Sequence, residues 1–217
     1  TDKPVVAYDT NIDSDKCLAF VGTGNKEAAK EGAKAAVEAA KANGWDEIKC
    51  IEIAGVQGDA TNTARMEGYR EGVNEAGGEF LDAETQYANA TADLAVTAME
   101  GIMSKYPDGV AIICSNNDDM ALGAIDACTE AGLDKASMPF IVGVDATPPA
   151  LEALREGTLK GTVRNDAVGL AESMMELAVS LSVDGEPSQD LELTDERYVW
   201  LRYEAVTAEN LEDQAVS

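Results

Sequence analysis

Eight short runs of apolar or β-branched residues punctuate the chain: VVAY (5–8), LAFV (18–21), IKCIEI (48–53), EFLD (79–82), VAIIC (110–114), FIVGV (140–144), LKGTV (159–163) and YVWL (198–201). Runs of this length and composition are the pattern of strands. Between most of them lie longer stretches rich in alanine, leucine, methionine and glutamate, with apolar positions at helical spacing. These predict helices over 25–43, 62–76, 89–106, 118–131, 148–156 and 167–183. Strands that alternate with helices are joined by crossovers, so the expected class is α/β, with parallel sheets covered by helices on both faces.

Gly44, Gly77, Gly132 and Gly157 close four of the helical stretches and suit left-handed C-terminal caps, while Asn, Asp or Thr residues precede helices where N-caps belong. VDGEPSQD (183–190) is the clearest polar connector. Met174 and Met175, within helical spacing of Leu170, Leu177 and Leu181, read as a core stripe.

Ligands of open parallel sheets bind beyond the carboxyl ends of the strands. Those positions hold polar side chains almost throughout. Asp9 follows VVAY, Asp59 and Arg65 follow CIEIAG, and Tyr87 follows EFLDAETQ. Asn117 follows VAIICS, Asp145 follows IVGV, and Arg164, Asn165 and Asp166 follow GTV. Asp and Asn each engage two neighbouring hydroxyls, Arg offers a fork of donors, and an aromatic ring covers the C–H face of a sugar ring. Each residue also has a purely structural reading. Asn117 or Asp118 would cap the helix that follows, Asp145 would cap the TPPALEAL helix, Asn165 would satisfy a turn, and Arg65 would pair with acids on its own helix. The coincidence at successive strand ends is what favours a polyol site.

Composition narrows the function. Lys and Arg number 16 against 41 Asp and Glu, a net charge of −25, with a pI near 4.1. Such a field repels phosphate backbones and anionic headgroups, so no nucleic-acid partner is expected. No apolar run approaches the length of a membrane span. Cys17, Cys50, Cys114 and Cys128 have no C-x-x-C spacing and three lie in apolar runs, which predicts buried free thiols rather than a metal site. The chain has no histidine, no G-x-x-x-x-G-K-[ST] loop and no G-x-S-x-G elbow. Gly22 and Gly24 begin a G-x-G-x-x-G pattern, but its third position is Glu27, which opposes a pyrophosphate. No catalytic residue, cofactor or metal is assigned, and the chain is not read as an enzyme.

The stretches KPVVAYD, VGTGNKEAAKEGA, GDATNTARMEGYREGV, VAIICSNNDDMALGAIDA, FIVGVDATPPALEALREGTLKGTVRNDA and VWLRYEAVTAENL occur in an order that resembles the periplasmic sugar-binding proteins of the ribose and glucose/galactose type. The resemblance implies a two-lobed periplasmic-binding-protein-like fold with doubly wound parallel sheets and a three-segment hinge. It implies an extracytoplasmic protein, in a periplasm or on the outer face of the cytoplasmic membrane. Such a protein captures one monosaccharide, an aldose or related polyol, between its lobes and delivers it to an ABC permease. Carried over by position, Asp9 is a contact from the N-terminal lobe, and Asp59, Arg65, Tyr87, Asn117, Asp145 and Asn165 line the other lobe, with Tyr87 packing on the sugar. The lobes implied are 1–23 with 166–199 and 24–165 with 200–217. The effector-binding core of a lactose-repressor type transcription factor shares the fold and is the alternative.

The chain departs from the family in three respects. It opens directly on a strand, and the first βα units of the N-terminal lobe are absent, so that lobe is expected to be incomplete. Whether the missing segment comes as another chain stays open. Asp59 and Thr61 stand where the glucose/galactose branch has histidine and aspartate, which leaves the sugar unidentified. NGWDEIKC is too short for that branch's calcium loop, so no calcium site is expected.

Overall fold

The structure is a computed structural model that describes residues 3–12 and 14–212. The chain forms two compact units, residues 1–24 with 165–203 and residues 25–164 with 204–217.

In the larger unit, β3 (Lys49–Ala54), β4 (Glu79–Phe80), β6 (Ile112–Ser115) and β7 (Phe140–Val142) form a parallel sheet in the order β4-β3-β6-β7. The two-residue strand β5 (Gln86–Tyr87) pairs with the carboxyl end of β3. A parallel bridge between Val142 and Gly161 leads on towards β8 (Thr162–Asn165), which pairs with β10 (Tyr203–Val206). Cys50, Ile112 and Phe140 stand in one register row and Ile51, Ile113 and Ile141 in the next. Alternate rows point to opposite faces.

Each face has its own core. Ile51, Ile53, Ile113 and Ile141 pack with Met99, Met120 and Leu154 from α3 (Ala92–Lys105), α4 (Asp118–Glu130) and α5 (Pro148–Glu156). Cys50, Ile112, Cys114, Phe140 and Val142 pack with Ala29, Ala33, Val37, Tyr69 and Val73 from α1 (Asn25–Ala42) and α2 (Ala60–Glu75). Each isoleucine so buried contributes roughly 1.5–3 kcal/mol. This is the expected α/β arrangement, with both faces of the sheet closed to water.

The smaller unit has a parallel sheet in the order β1-β2-β9, from β1 (Val5–Tyr8), β2 (Cys17–Thr23) and β9 (Tyr198–Leu201). On it lies α6 (Ala167–Val183), through Leu177 with Leu170 and Met174, over Ala19, Val21 and Val199. Met175 does not share that stripe and is 64% exposed. Trp200 and Leu201 pair with Gly22 and Thr23, which holds residues 200–203 in this unit and not in the other, where the sequence reading had put them.

Four of the predicted helices start where expected. α3 begins at Ala92, because Asn89 and Ala90 have φ of 46° and 61°, outside the helical region. α2 begins at Ala60, because Asp59 accepts a hydrogen bond from the Asn62 amide and so fixes the first turn. Gly44, Gly77, Gly132 and Gly157 all have positive φ, as their cap positions require. All four cysteines are free and buried.

α1 and α2 approach closely because Gly68 and Gly72 lie against the backbone carbonyls of Lys26 and Lys30. A Cβ at Gly68 would sit well inside van der Waals distance of the Lys26 oxygen. Rigid backbone cannot retreat as a side chain can, so Gly68→Ala is expected to lower stability by about 1–3 kcal/mol. Urea denaturation measures this; an unchanged midpoint would contradict the packing described.

Candidate binding site

Because β3, β5, β6 and β7 run parallel in one sheet, the residues that follow them gather along one edge. Asp59 is half-buried at the N-terminus of α2, where its Oδ1 accepts from Asn62 N at 2.9 Å. Tyr87 ends β5 opposite Ala54 and keeps 42% of its surface exposed. Asn117 caps α4, its Oδ1 accepting from Met120 N at 2.9 Å while its Nδ2 points to Ala90 O at 3.5 Å. Asp145 is exposed in the turn after β7 with φ of 114°, followed by Ala146 at 52°. Two consecutive non-glycine residues in that region are strained and persist only where surrounding contacts hold them.

Those contacts centre on Asp118, which has no exposed surface. Its Oδ1 accepts from the Thr162 hydroxyl at 2.7 Å and its Oδ2 from Thr147 N, also at 2.7 Å. Thr162 Oγ1 in turn accepts from Ala146 N at 3.2 Å, and Asp145 N donates to Val163 O at 2.8 Å. One carboxyl therefore ties the start of α4 to β8, to the strained turn and to the start of α5. Gly143 makes room for it, since a Cβ there would collide with Asp118 Oδ1. Burial raises the Asp118 pKa above the ordinary carboxylate range, opposed by the hydrogen bonds from Thr162 and Thr147. The helix cap is thus Asn117, and Asp118 is an internal brace rather than a cap or an exposed contact. Asp145 does not cap α5 either, since that position belongs to Thr147.

Arg65 does not reach acids on its own helix. Its Nε donates to Asn25 Oδ1 at 3.0 Å, and its Nη1 donates to Asn116 O, the residue before Asn117. Asn116 Nδ2 donates to Asn62 Oδ1 at 2.8 Å, and Asn62 Nδ2 to Val56 O at 2.8 Å. This string of amides joins the loop after β3 to the loop after β6. Nothing in the sequence singled out Asn62 or Thr162, and Asn116 stood out only as one of the polar residues 116–119 after VAIIC; their partners lie up to 54 residues away.

Two candidates belong to the smaller unit. Asp9 follows β1 with φ of 60° and donates its backbone N–H to Val21 O at 2.9 Å. Asn165, expected with the larger unit, is counted with the smaller one at the end of β8. Elsewhere in the larger unit an apolar groove runs between α1 and β7 and β8, lined by Ala29, Gly32, Ala36, Val142 and Val163. Among the described residues no group of three or more acidic, cysteine or histidine side chains is placed to hold a metal ion, and no helix is long and apolar enough to cross a membrane.

Residues 1–187 match the family of the periplasmic binding protein domain. The chain belongs to the periplasmic binding protein family. The D-galactose/methyl-galactoside binding periplasmic protein of Haemophilus influenzae is 37% identical over 114 residues, 52% of this chain and 33% of that protein. The ribose import binding protein of Salmonella typhimurium is 30% identical over 160 residues, 74% of this chain and 51% of that protein. Among solved structures, an ABC transporter solute binding protein from Bacillus halodurans with bound myo-inositol matches with a TM-score of 0.78 and 29% identity, over 98% of this chain and 68% of that one. The chain spans about half or less of the length of these two curated relatives.

In this periplasmic binding protein the brace and the cap should respond differently to removal. Asp118→Ala strands the buried Thr162 hydroxyl and the part-buried Thr147 N–H and is expected to lose roughly 1–3 kcal/mol of stability. Asn117→Ala loses an N-cap worth roughly 1 kcal/mol. Denaturant titration that finds Asp118→Ala no costlier than Asn117→Ala would contradict the brace.

Proposed function

We propose that this protein is the binding component of a sugar importer, capturing a monosaccharide or related cyclic polyol outside the cytoplasm and delivering it to an ABC permease. The observation that carries the reading is the run of hydrogen-bonding side chains along one sheet edge, in a chain of the periplasmic binding protein family. The ligand contacts proposed are Asp59, Arg65, Tyr87, Asn117 and Asp145 of the larger unit; the sequence candidates Asp9 and Asn165 lie in the smaller unit. The two units correspond to the two lobes of the family.

Each group suits a neutral ring bearing hydroxyls. The Asp145 carboxylate accepts from adjacent hydroxyls, and the Asn117 amide, whose bond to Ala90 O at 3.5 Å is long, turns a donor to the ligand. Tyr87 offers the exposed ring face that packs on ring C–H groups. The relatives are named for galactose and ribose and the solved neighbour holds myo-inositol. These names favour the transport reading over the effector-binding core of a repressor, and they support a pentose, hexose or cyclitol as the ligand class. A ligand returned unchanged is what a binding protein of this kind implies.

Calorimetric titration of the full-length protein with D-ribose, D-galactose and myo-inositol tests the proposal. Binding of at least one is expected, and Asn117→Ala and Asp145→Ala should each weaken it by about 1–3 kcal/mol, roughly 5- to 150-fold in Kd. Unchanged affinity in both folded variants would overturn the site assignment.

A further inference from the structure

Glu52 is the fourth residue of β3 and has no exposed surface. Its register partner is Cys114 on β6, in the face covered by α1 and α2. Neither carboxyl oxygen has a hydrogen-bond partner among the described residues, and Asn116 Oδ1, also buried, has none either. The Asn116 amide lies within hydrogen-bonding reach of the Glu52 carboxyl. Three buried acceptors without a donor make an arrangement that ionised Glu52 cannot resolve, because a carboxylate only accepts.

The direction of the amide string decides what can. Val56 O can only accept, so Asn62 turns Nδ2 to it and presents Oδ1 to Asn116. Asn116 must then present Nδ2 to Asn62, which leaves its Oδ1 for the carboxyl. Gly55 makes this possible, since a Cβ there would lie 2.6 Å from Asn62 Oδ1. We propose that Glu52 is held as the neutral acid, its O–H donating to Asn116 Oδ1 at the head of a one-way chain through Asn62 to Val56, and that it is thereby a positioning residue for the ligand-binding edge. The chain reaches that edge at three points. Arg65 donates to Asn116 O, Asn62 N donates to Asp59, and Asn117 is the next residue. Only the word ligand in this inference rests on the sugar-binding reading, since the chain of hydrogen bonds is a property of the unliganded protein.

The surroundings favour the neutral form. From α2 come Tyr69, whose hydroxyl donates to Ser115 O, and Arg70, which is paired with Asp82 of the turn that follows β4. From the strands come Cys50 and Cys114, which lie 3.4 Å apart. From α1 come the apolar residues Ala29, Ala33, Ala36, Val37 and Ala40. Burial pushes the carboxyl up from 4.5 to about 8, against a smaller opposing effect of Arg70. The native state therefore keeps a proton that the unfolded chain releases near 4.5. The stabilisation is complete below that pH and is lost as pH rises to about 8, with the unfolding constant growing up to about tenfold per unit.

The test is carbon NMR of the Glu side-chain carboxyls across pH 4 to 10, with the Glu52 signal assigned by its loss in Glu52→Gln. A Glu52 midpoint near 8, with the side-chain amide signals of Asn62 and Asn116 moving at the same midpoint, is the expected result. Urea titrations of the wild type and Glu52→Gln should diverge with rising pH, the wild type losing stability relative to the variant, whose amide replaces the donor without titrating. A Glu52 midpoint in the ordinary carboxylate range would overturn the neutral acid. A high midpoint with silent Asn62 and Asn116 amides would overturn the positioning role. Neither outcome depends on any sugar, so failure of the transport reading is seen separately, in calorimetry.

Discussion

Burying a carboxyl group costs several kcal/mol unless donors surround it, and Asp118 is buried at the edge where the parallel strands end. Its two oxygens are met by Thr162 and by the backbone of Thr147. Those partners come from β8 and from the residue before α5, so the requirement to satisfy one group draws three parts of the chain to one point. The strained turn at Asp145 and Ala146 is held through the same threonine. Asp145 and Asn117 are thereby presented on fixed backbone.

A second constraint arises from the sheet itself. With helices on both faces there is no wet side, so every polar residue on an interior strand must find a partner inside the protein. Glu52 is the one acid in β3, and the amide within its reach is that of Asn116, which is itself bonded to Asn62. The interior thus imposes order on the loops after β3 and β6, where Asp59, Arg65 and Asn117 lie. Structural caps and candidate ligand contacts coincide here: Asn117 uses its oxygen on the helix and its amide remains weakly engaged.

Much of this was legible in the sequence because it is local. α4, α5 and α6 begin where caps and proline announce them, and the α/β class follows from the alternation of short and long apolar periods. β5 and β10 escaped notice since one has two residues and the other follows β9 after a single residue. Met175 was misread by one position on its helix, the difference between core and solvent. The pairing of Asp118 with Thr162 spans 44 residues and leaves no trace in periodicity. Glu52, inside IKCIEI, shares its face with Ile48 and Cys50, and the helices packed over that face make it interior.

The account stands on a small neutral polyol being held at the carboxyl edge of the larger unit's sheet. Native mass spectrometry of the full-length protein, as purified and after incubation with D-ribose, D-galactose and myo-inositol, addresses this most directly. The account predicts a one-to-one complex whose released ligand has the mass of a pentose, hexose or cyclitol. A folded protein that carries no such molecule and takes up none of the three would contradict it.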